Sequence, residues 1–252
     1  MSTLLERAVR AHGGIDNWAQ LRQASAVLDI DGAVWHLKGQ PDMFRNIEAI
    51  ADLRQQHVVI TSQAGGWQGT FTPGMVHIDA LDAHATQARR APRTAYGGHT
   101  QETPWDRLHA LYFTGYALWT YLTIPFLYTL PGFQTEELSE WIENGEVWRR
   151  LKVTFPDSIA SHAREQISYF GEDGLLRRHD YTVDVMGGAR GANYASDYRN
   201  VGGVMVPMSR RVFAYDDSGQ KVDVPLLVSI DFRDVKFHTE LHASHRHGSA
   251  SS

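Results

Sequence analysis

"PWDRLHALYFTGYALWTYLTIPFLY", residues Pro104–Tyr128, decides the fold. It is a membrane span, a plain core segment or a helix laid over a pocket. From Leu108 to Gln134 the chain carries no Asp, Glu, Lys or Arg, a run long enough to cross a bilayer. His109, Gly115, the threonines and tyrosines and the breaker Pro125 speak against lipid, where polar groups are costly. Thr103 before Pro104, with Asp106 three residues on, reads as a capped helix start. Pro125 disfavours helix at Ile124. The stretch predicts a buried helix of a water-soluble domain, with no stable membrane insertion.

At about 100° per residue, Trp105, His109, Tyr112, Tyr116 and Trp119 fall on one arc of that helix. Leu108, Gly115 and Leu122 flank the arc; Leu111 and Leu118 extend the apolar surface. Four rings and an imidazole with polar tips suit the lining of a hollow better than a dry core, because buried tips need partners. Gly115 lets something approach the backbone closely.

Outward from the helix the period changes to two. "SAVLDIDGAVWHLKG" and "FRNIEAIADLRQQHVVITS" read as strands. "GMVHIDAL" and "HATQARR" read as a hairpin across Asp82 and Ala83. On the C-terminal side "EVWRRLKVTFP" alternates, and "AREQISYF" runs through the turn "GEDG" into "LLRRHDYTVDV". Two strands surround Gly202-Gly203, and "VPLLVSIDFRDVKF" supplies a last one. Near the N-terminus, Leu4, Leu5, Ala8 and Val9 share a helix face closed by His12, Gly13 and Gly14. Asp16 is the expected cap of a short second helix. The pattern is α+β: a large curved antiparallel β-sheet, a half-barrel, with helices covering the concave face. One domain is expected over 1–237, followed by a disordered His-rich tail over 238–252.

The chain has 252 residues, a formal net charge of −5 and no cysteine. Length and apolar content suffice for a core without staples. The charge argues against nucleic acid. Disulfides, thiolate nucleophiles and cysteine-ligated metals are excluded. Glu6 and two arginines interrupt the N-terminal "MSTLLERAVRAHGG", so no export signal is read and a cytoplasmic location is expected.

An N-terminal "AHGG…W" helix, a meander of strands, an inserted aromatic helix and closing hairpins resemble the LolA/LolB lipoprotein-carrier fold. The resemblance is one of layout over most of the chain. It implies an open half-barrel whose mouth is plugged by helices, and a hollow that holds an acyl chain or another hydrophobic or aromatic small molecule. An export signal and the receptor's anchoring cysteine are not read in this chain, so the hollow is the part that carries over.

No GxSxG elbow, Walker loop or HExxH is present. "GGARGANY" reads as a loop between strands. On "RRHDYTVDV" the more apolar face carries His179 and Tyr181, the expected inner face; Asp180 and Asp184 are expected to face solvent. Trp35 in "AVWHLKG" and Trp67 in the glycine-rich "GGWQG" join Trp105, Tyr112, Tyr116, Trp119 and Tyr181 as candidate ligand-binding residues. A lone imidazole among rings also suits a haem axial ligand or a general base. His109 and His179 are therefore candidate catalytic residues, with His109 the metal ligand if haem is bound. In outline the aromatic pocket and inserted helix are similar to the trans-anethole oxygenase type of enzyme. The alternative function is thus a haem-dependent oxygenase acting on an aryl-alkene or similar substrate.

Overall fold

The structure is a computed structural model that describes residues 3–83 and 85–241. Two short helices, α1 (Leu4–Ala11) and α2 (Ile15–Gln20), precede strand β1 (Gln23–Asp31). Helix α3 (Ala33–Leu37) follows, and then β2 (Ile47–Asp52), β3 (Val58–Ser62), β4 (Trp67–Thr72), β5 (Met75–Ala80) and β6 (Thr86–Arg90). A 3-10 turn at Pro92–Tyr96 leads into the aromatic helix α4 (Arg107–Thr123). The remaining strands are β7 (Gln134–Glu143), β8 (Glu146–Thr154), β9 (Glu165–Phe170), β10 (Leu176–Val183), β11 (Ala189–Val201), β12 (Val204–Tyr215), β13 (Lys221–Val222) and β14 (Val228–His238).

Among the described residues all fourteen strands join one antiparallel sheet, in the order β6-β5-β4-β3-β2-β1-β14-β12-β11-β10-β9-β8-β7, with β13 paired to β12. The closing strand β14 pairs with β1 near the chain start, so Gln23 lies opposite His238. The edges β6 and β7 are not paired to each other. The sheet is an open half-barrel, as the period-two segments and turn signals imply.

α4 packs on β2, β3, β4 and β5, over the first half of the sheet. Its cap is Asp106, whose side chain accepts from the His109 amide while the His109 ring accepts from the Asp106 amide. Pro104 lies outside the helix, so the start falls three residues later than the Thr103–Pro104 signal suggests. Fifteen of its 17 residues are buried. No helix among the described residues is long and apolar enough to cross a membrane.

Gly115 permits this docking. A Cβ there would stand 2.3 Å from Phe71 Cγ and 2.4 Å from Phe71 Cβ, so the close approach is made by a ring of β4. Gly115→Ala must push α4 off β4 and is expected to destabilise by about 1–3 kcal/mol. Urea unfolding measures it; an unchanged midpoint would contradict this packing.

Several sequence expectations change. "AVWHL" is helix α3, because Gly32, at φ 121°, ends β1 against the Leu227 carbonyl. Trp67 is not in a loop; it opens β4 and is buried. "ARGANY" opens β11. α2 is capped by Gly14, not Asp16. His238 ends β14 and does not belong to a tail; residues 242–252, with His242, His245 and His247, lie outside the described residues. Asp180 is buried, because the turn after β12 covers the outer face of the sheet there. Arg178 beneath that turn makes five hydrogen bonds: two to Asp180 (2.6 and 2.8 Å), one each to Glu143 (2.8 Å) and the Tyr194 hydroxyl (3.2 Å), and one to the Gly219 carbonyl (2.7 Å).

Candidate functional site

Between α4 and the β1–β14–β12–β10 wall lies an apolar cavity of about 30 Å³. From the helix it is lined by Phe113, Thr114, Ala117, Leu118 and Tyr121. From α3 and the strands come Trp35, Ile30, Tyr181, Val212, Val228 and Ile230. The helical lining residues lie on the side opposite the arc of Trp105, His109, Tyr112, Tyr116 and Trp119. α4 is apolar on nearly every face, so its periodicity cannot tell which face meets the sheet and which meets the hollow.

The arc has other partners. Trp119 is fully buried and donates its Nε1–H to the Asp52 carbonyl at 2.8 Å. Tyr112 packs on Phe71 and borders a second, more polar recess near Arg93 and Asp184. Trp105 lies under the Lys38 ammonium, 4.9 Å from the ring centre. Trp67 contacts Phe44 and is covered by the Arg107 guanidinium. Among the candidate residues, Trp35 and Tyr181 line the cavity.

His109 sits at the start of α4, away from the cavity. Its Nε2 donates to the Ala95 carbonyl at 3.2 Å, and its Nδ1 lies 2.8 Å from an Asp106 oxygen. Rings of Tyr96 and His99 pack against it. Both ring nitrogens are thus engaged. His179 is the reverse case: it is fully buried beside Tyr181, and neither ring nitrogen has a partner. In this closed arrangement neither candidate histidine offers a haem a free nitrogen beside a space of its size. One imidazole is tied to the protein, and beside the other the cavity holds little more than the volume of one water. No cluster of three or more metal-ligating side chains occurs among the described residues.

A hydrogen-bonded chain joins the helix to the far wall. The Tyr116 hydroxyl lies 3.2 Å from His162 Nδ1, and the Tyr121 hydroxyl 3.0 Å from His162 Nε2 and 2.8 Å from the Tyr181 hydroxyl. The His162 ring stacks on Tyr181 with centroids 4.0 Å apart. Burial, with the nearby His179 and Arg93 acting in the same direction, pushes His162 well below the usual histidine range. Burial pushes the tyrosines Tyr116, Tyr121 and Tyr181 up. The chain is therefore an uncharged one at neutral pH. Arg210 of β12 adds a bond from Nη2 to the Tyr121 carbonyl at 3.2 Å and holds its guanidinium 4.7 Å from the Tyr121 ring.

Sequence reasoning missed His162, Arg210 and Asn193. His162 lies in the loop "DSIASHAR", where no periodicity marks a direction. Arg210 has a charged neighbour, Arg211, and only the covered inner face of β12 makes one of the pair buried.

No family model matches the chain, and no curated protein sequence matches it. Solved structures do match it over most of its length. A LolA superfamily protein from Nitrosomonas europaea aligns at a TM-score of 0.50 with 10% identity, covering 95% of this chain and 93% of that one. A DUF1329 family protein from Desulfovibrio piger aligns at 0.44 with 11% identity over 95% and 93%. A domain of an outer membrane lipoprotein-sorting type of protein from Vibrio parahaemolyticus aligns at 0.43 with 10% identity over 94% and 93%. The fold is LolA-like, in agreement with the layout of the sequence.

Proposed function

We propose that the chain binds an apolar or acyl-bearing small molecule in the hollow between α4 and the β1–β14–β12–β10 wall. The observation that carries this reading is the cavity itself. It lies on the concave face of an open half-barrel, and its walls are almost entirely apolar side chains. Trp35 and Tyr181 are the ligand-contacting residues carried over from the sequence, joined by Phe113, Ala117, Leu118 and Tyr121.

At about 30 Å³ the cavity is far smaller than the roughly 300 Å³ that even a small ligand pocket needs. A ligand must therefore displace α4 from the wall. What resists is short-range: the bonds through His162, the Tyr121–Tyr181 contact and the Arg210 bond to the helix carbonyl. The packing of α4 on β2–β5 can stay intact while this seam opens.

The test uses an environment-sensitive fatty-acid probe, read by its own emission and by tryptophan quenching. The delipidated protein is expected to bind it. Ala117→Phe fills the space between helix and wall and should weaken binding by about five- to 150-fold, the equivalent of a 1–3 kcal/mol clash. Equal binding by the variant, or none by the parent, would remove the hollow as the site.

A further inference from the structure

We propose that the wall beside the hollow receives an oxyanion, so that the ligand is an apolar chain ending in a carboxylate or phosphate group. This rests on the reading that the hollow takes an apolar ligand, and it names the chemistry of that ligand's polar end.

Three buried polar side chains meet on the inner face of β10, β11 and β12. His179 lies directly opposite Asn193, and Arg210 lies opposite Ala195, two residues along the same face from Asn193. Their exposures are 0%, 0% and 1%. Arg210 Nε and Nη1 and both ring nitrogens of His179 have no hydrogen-bond partner, while Asn193 interacts with the Tyr121 side chain. Backbone pairing is complete around them, so this is a local feature of the side chains.

Arg178 shows what a buried arginine of this sheet looks like when it is satisfied. It points to the outer face and is held by two carboxylates. Arg210 points to the inner face, and among the described residues no carboxylate pairs with it. Its attractive contacts are the Tyr121 carbonyl and the face of the Tyr121 ring. A guanidinium stays protonated in a protein. A buried cation without a counter-charge is strongly unfavourable, and an anionic oxygen would accept from the vacant Nε–H and Nη1–H groups. Asn193 Nδ2 can donate to the same anion, and His179 can do so from whichever nitrogen carries its proton.

The apolar and cationic parts of the wall are continuous. Val212, two residues from Arg210 on the same face of β12, lines the cavity, and so does Tyr181, two residues from His179 on β10. Tyr121 borders both, with its ring beneath the guanidinium. A chain lying in the opened hollow would thus bring its head to Arg210. A positively charged head would be repelled there, and a neutral head would leave the charge uncompensated.

The experiment measures displacement of a neutral fluorescent probe by dodecanoate, dodecyl phosphate and dodecanol, which share one chain. The two anions are expected to bind at least about tenfold more tightly than dodecanol, as a charge-assisted hydrogen bond implies. The stronger of the two identifies carboxylate or phosphate as the head. Arg210→Met should bring both down to the level of dodecanol. Melting of the unaltered protein gives a reading that needs no variant: the better anion should raise Tm more than dodecanol at equal concentration. Equal affinity of dodecanol and both anions, or a preference that survives Arg210→Met, would overturn the oxyanion site while leaving the hollow. Failure of all three, together with the probe, would overturn the hollow as well.

Discussion

Trp119→Ala is expected to lower the unfolding free energy by about 5 kcal/mol. Truncating a fully buried tryptophan costs roughly 3–5 kcal/mol through lost burial and the cavity left behind. The indole also donates to the Asp52 carbonyl, and orphaning a buried acceptor adds about 1–3 kcal/mol. The side chain has no exposed surface to buffer the loss. Trp35→Ala provides the contrast. Trp35 is buried too, but its Nε1 has no partner and its ring borders the cavity. It should cost less stability and more probe affinity. Chemical unfolding with parallel probe titrations separates the two; the reverse ranking would place Trp119 in the ligand site and Trp35 in the core.

Acidification from pH 7 to pH 5 is expected to cost about 4 kcal/mol from two histidines. Burial, with the charge of Arg210 next, lowers His179 to about 3. Burial also lowers His12 to about 4, against its bond to the Ala8 carbonyl. In the unfolded chain a histidine titrates near 6.5. Above that value both states are neutral and the stability is fully present. As the pH falls below it, the unfolded chain takes up protons that the native state refuses. Stability then drops by about 1.4 kcal/mol per pH unit per histidine until the folded values are reached. His162 adds to the loss in the same direction. Asp180 acts in the opposite sense, since burial raises it above its ordinary value, with Arg178 and Tyr169 opposing. Urea unfolding at pH 7 and pH 5 measures the sum. His179→Leu should flatten the slope by about 1.4 kcal/mol per unit between pH 6 and 4. A parent protein equally stable at both pH values would show that these rings are not held neutral.

Most of the fold is legible in the chain. Alternation in "EVWRRLKVT" and "EQISYF", the turns "GEDG" and "NVGG", and the run without charges in α4 specify long antiparallel strands and one buried helix. Those signals are local, and the sheet order follows from hairpins that join sequence neighbours. β1 against β14 is the long-range case: it pairs Gln23 with His238 across most of the chain length, and no local pattern encodes that.

The site was less legible, and α4 shows why. A helix with an apolar face and a polar face announces which side is inside. α4 is buried nearly all round, so its sequence carries the fact of burial without its direction. The ring arc looked like a lining because its tips are polar. In the structure the tips of Trp119, Tyr116 and His109 go to the Asp52 backbone, to His162 and to the turn before α4, and Trp105 Nε1 has no partner. His109 likewise completes a helix cap, a role set by Asp106 three residues earlier. His179 was placed on the inner face by the alternation of β10 alone, and there the sequence and the structure agree.

The sequence by itself determined the α+β class, the open antiparallel sheet, the buried helix and the inward face of β10, because periodicity and turn chemistry act over a few residues. Only the tertiary structure decided which side of α4 meets the hollow, and which of two buried arginines has carboxylates to satisfy it. Both depend on what packs opposite. Arg178 on β10 and Arg210 on β12 are the same residue type, with one strand between them in the same sheet. The turn that covers the outer face brings one of them into a network with Asp180 and Glu143, while α4 covers the other with a carbonyl and a ring.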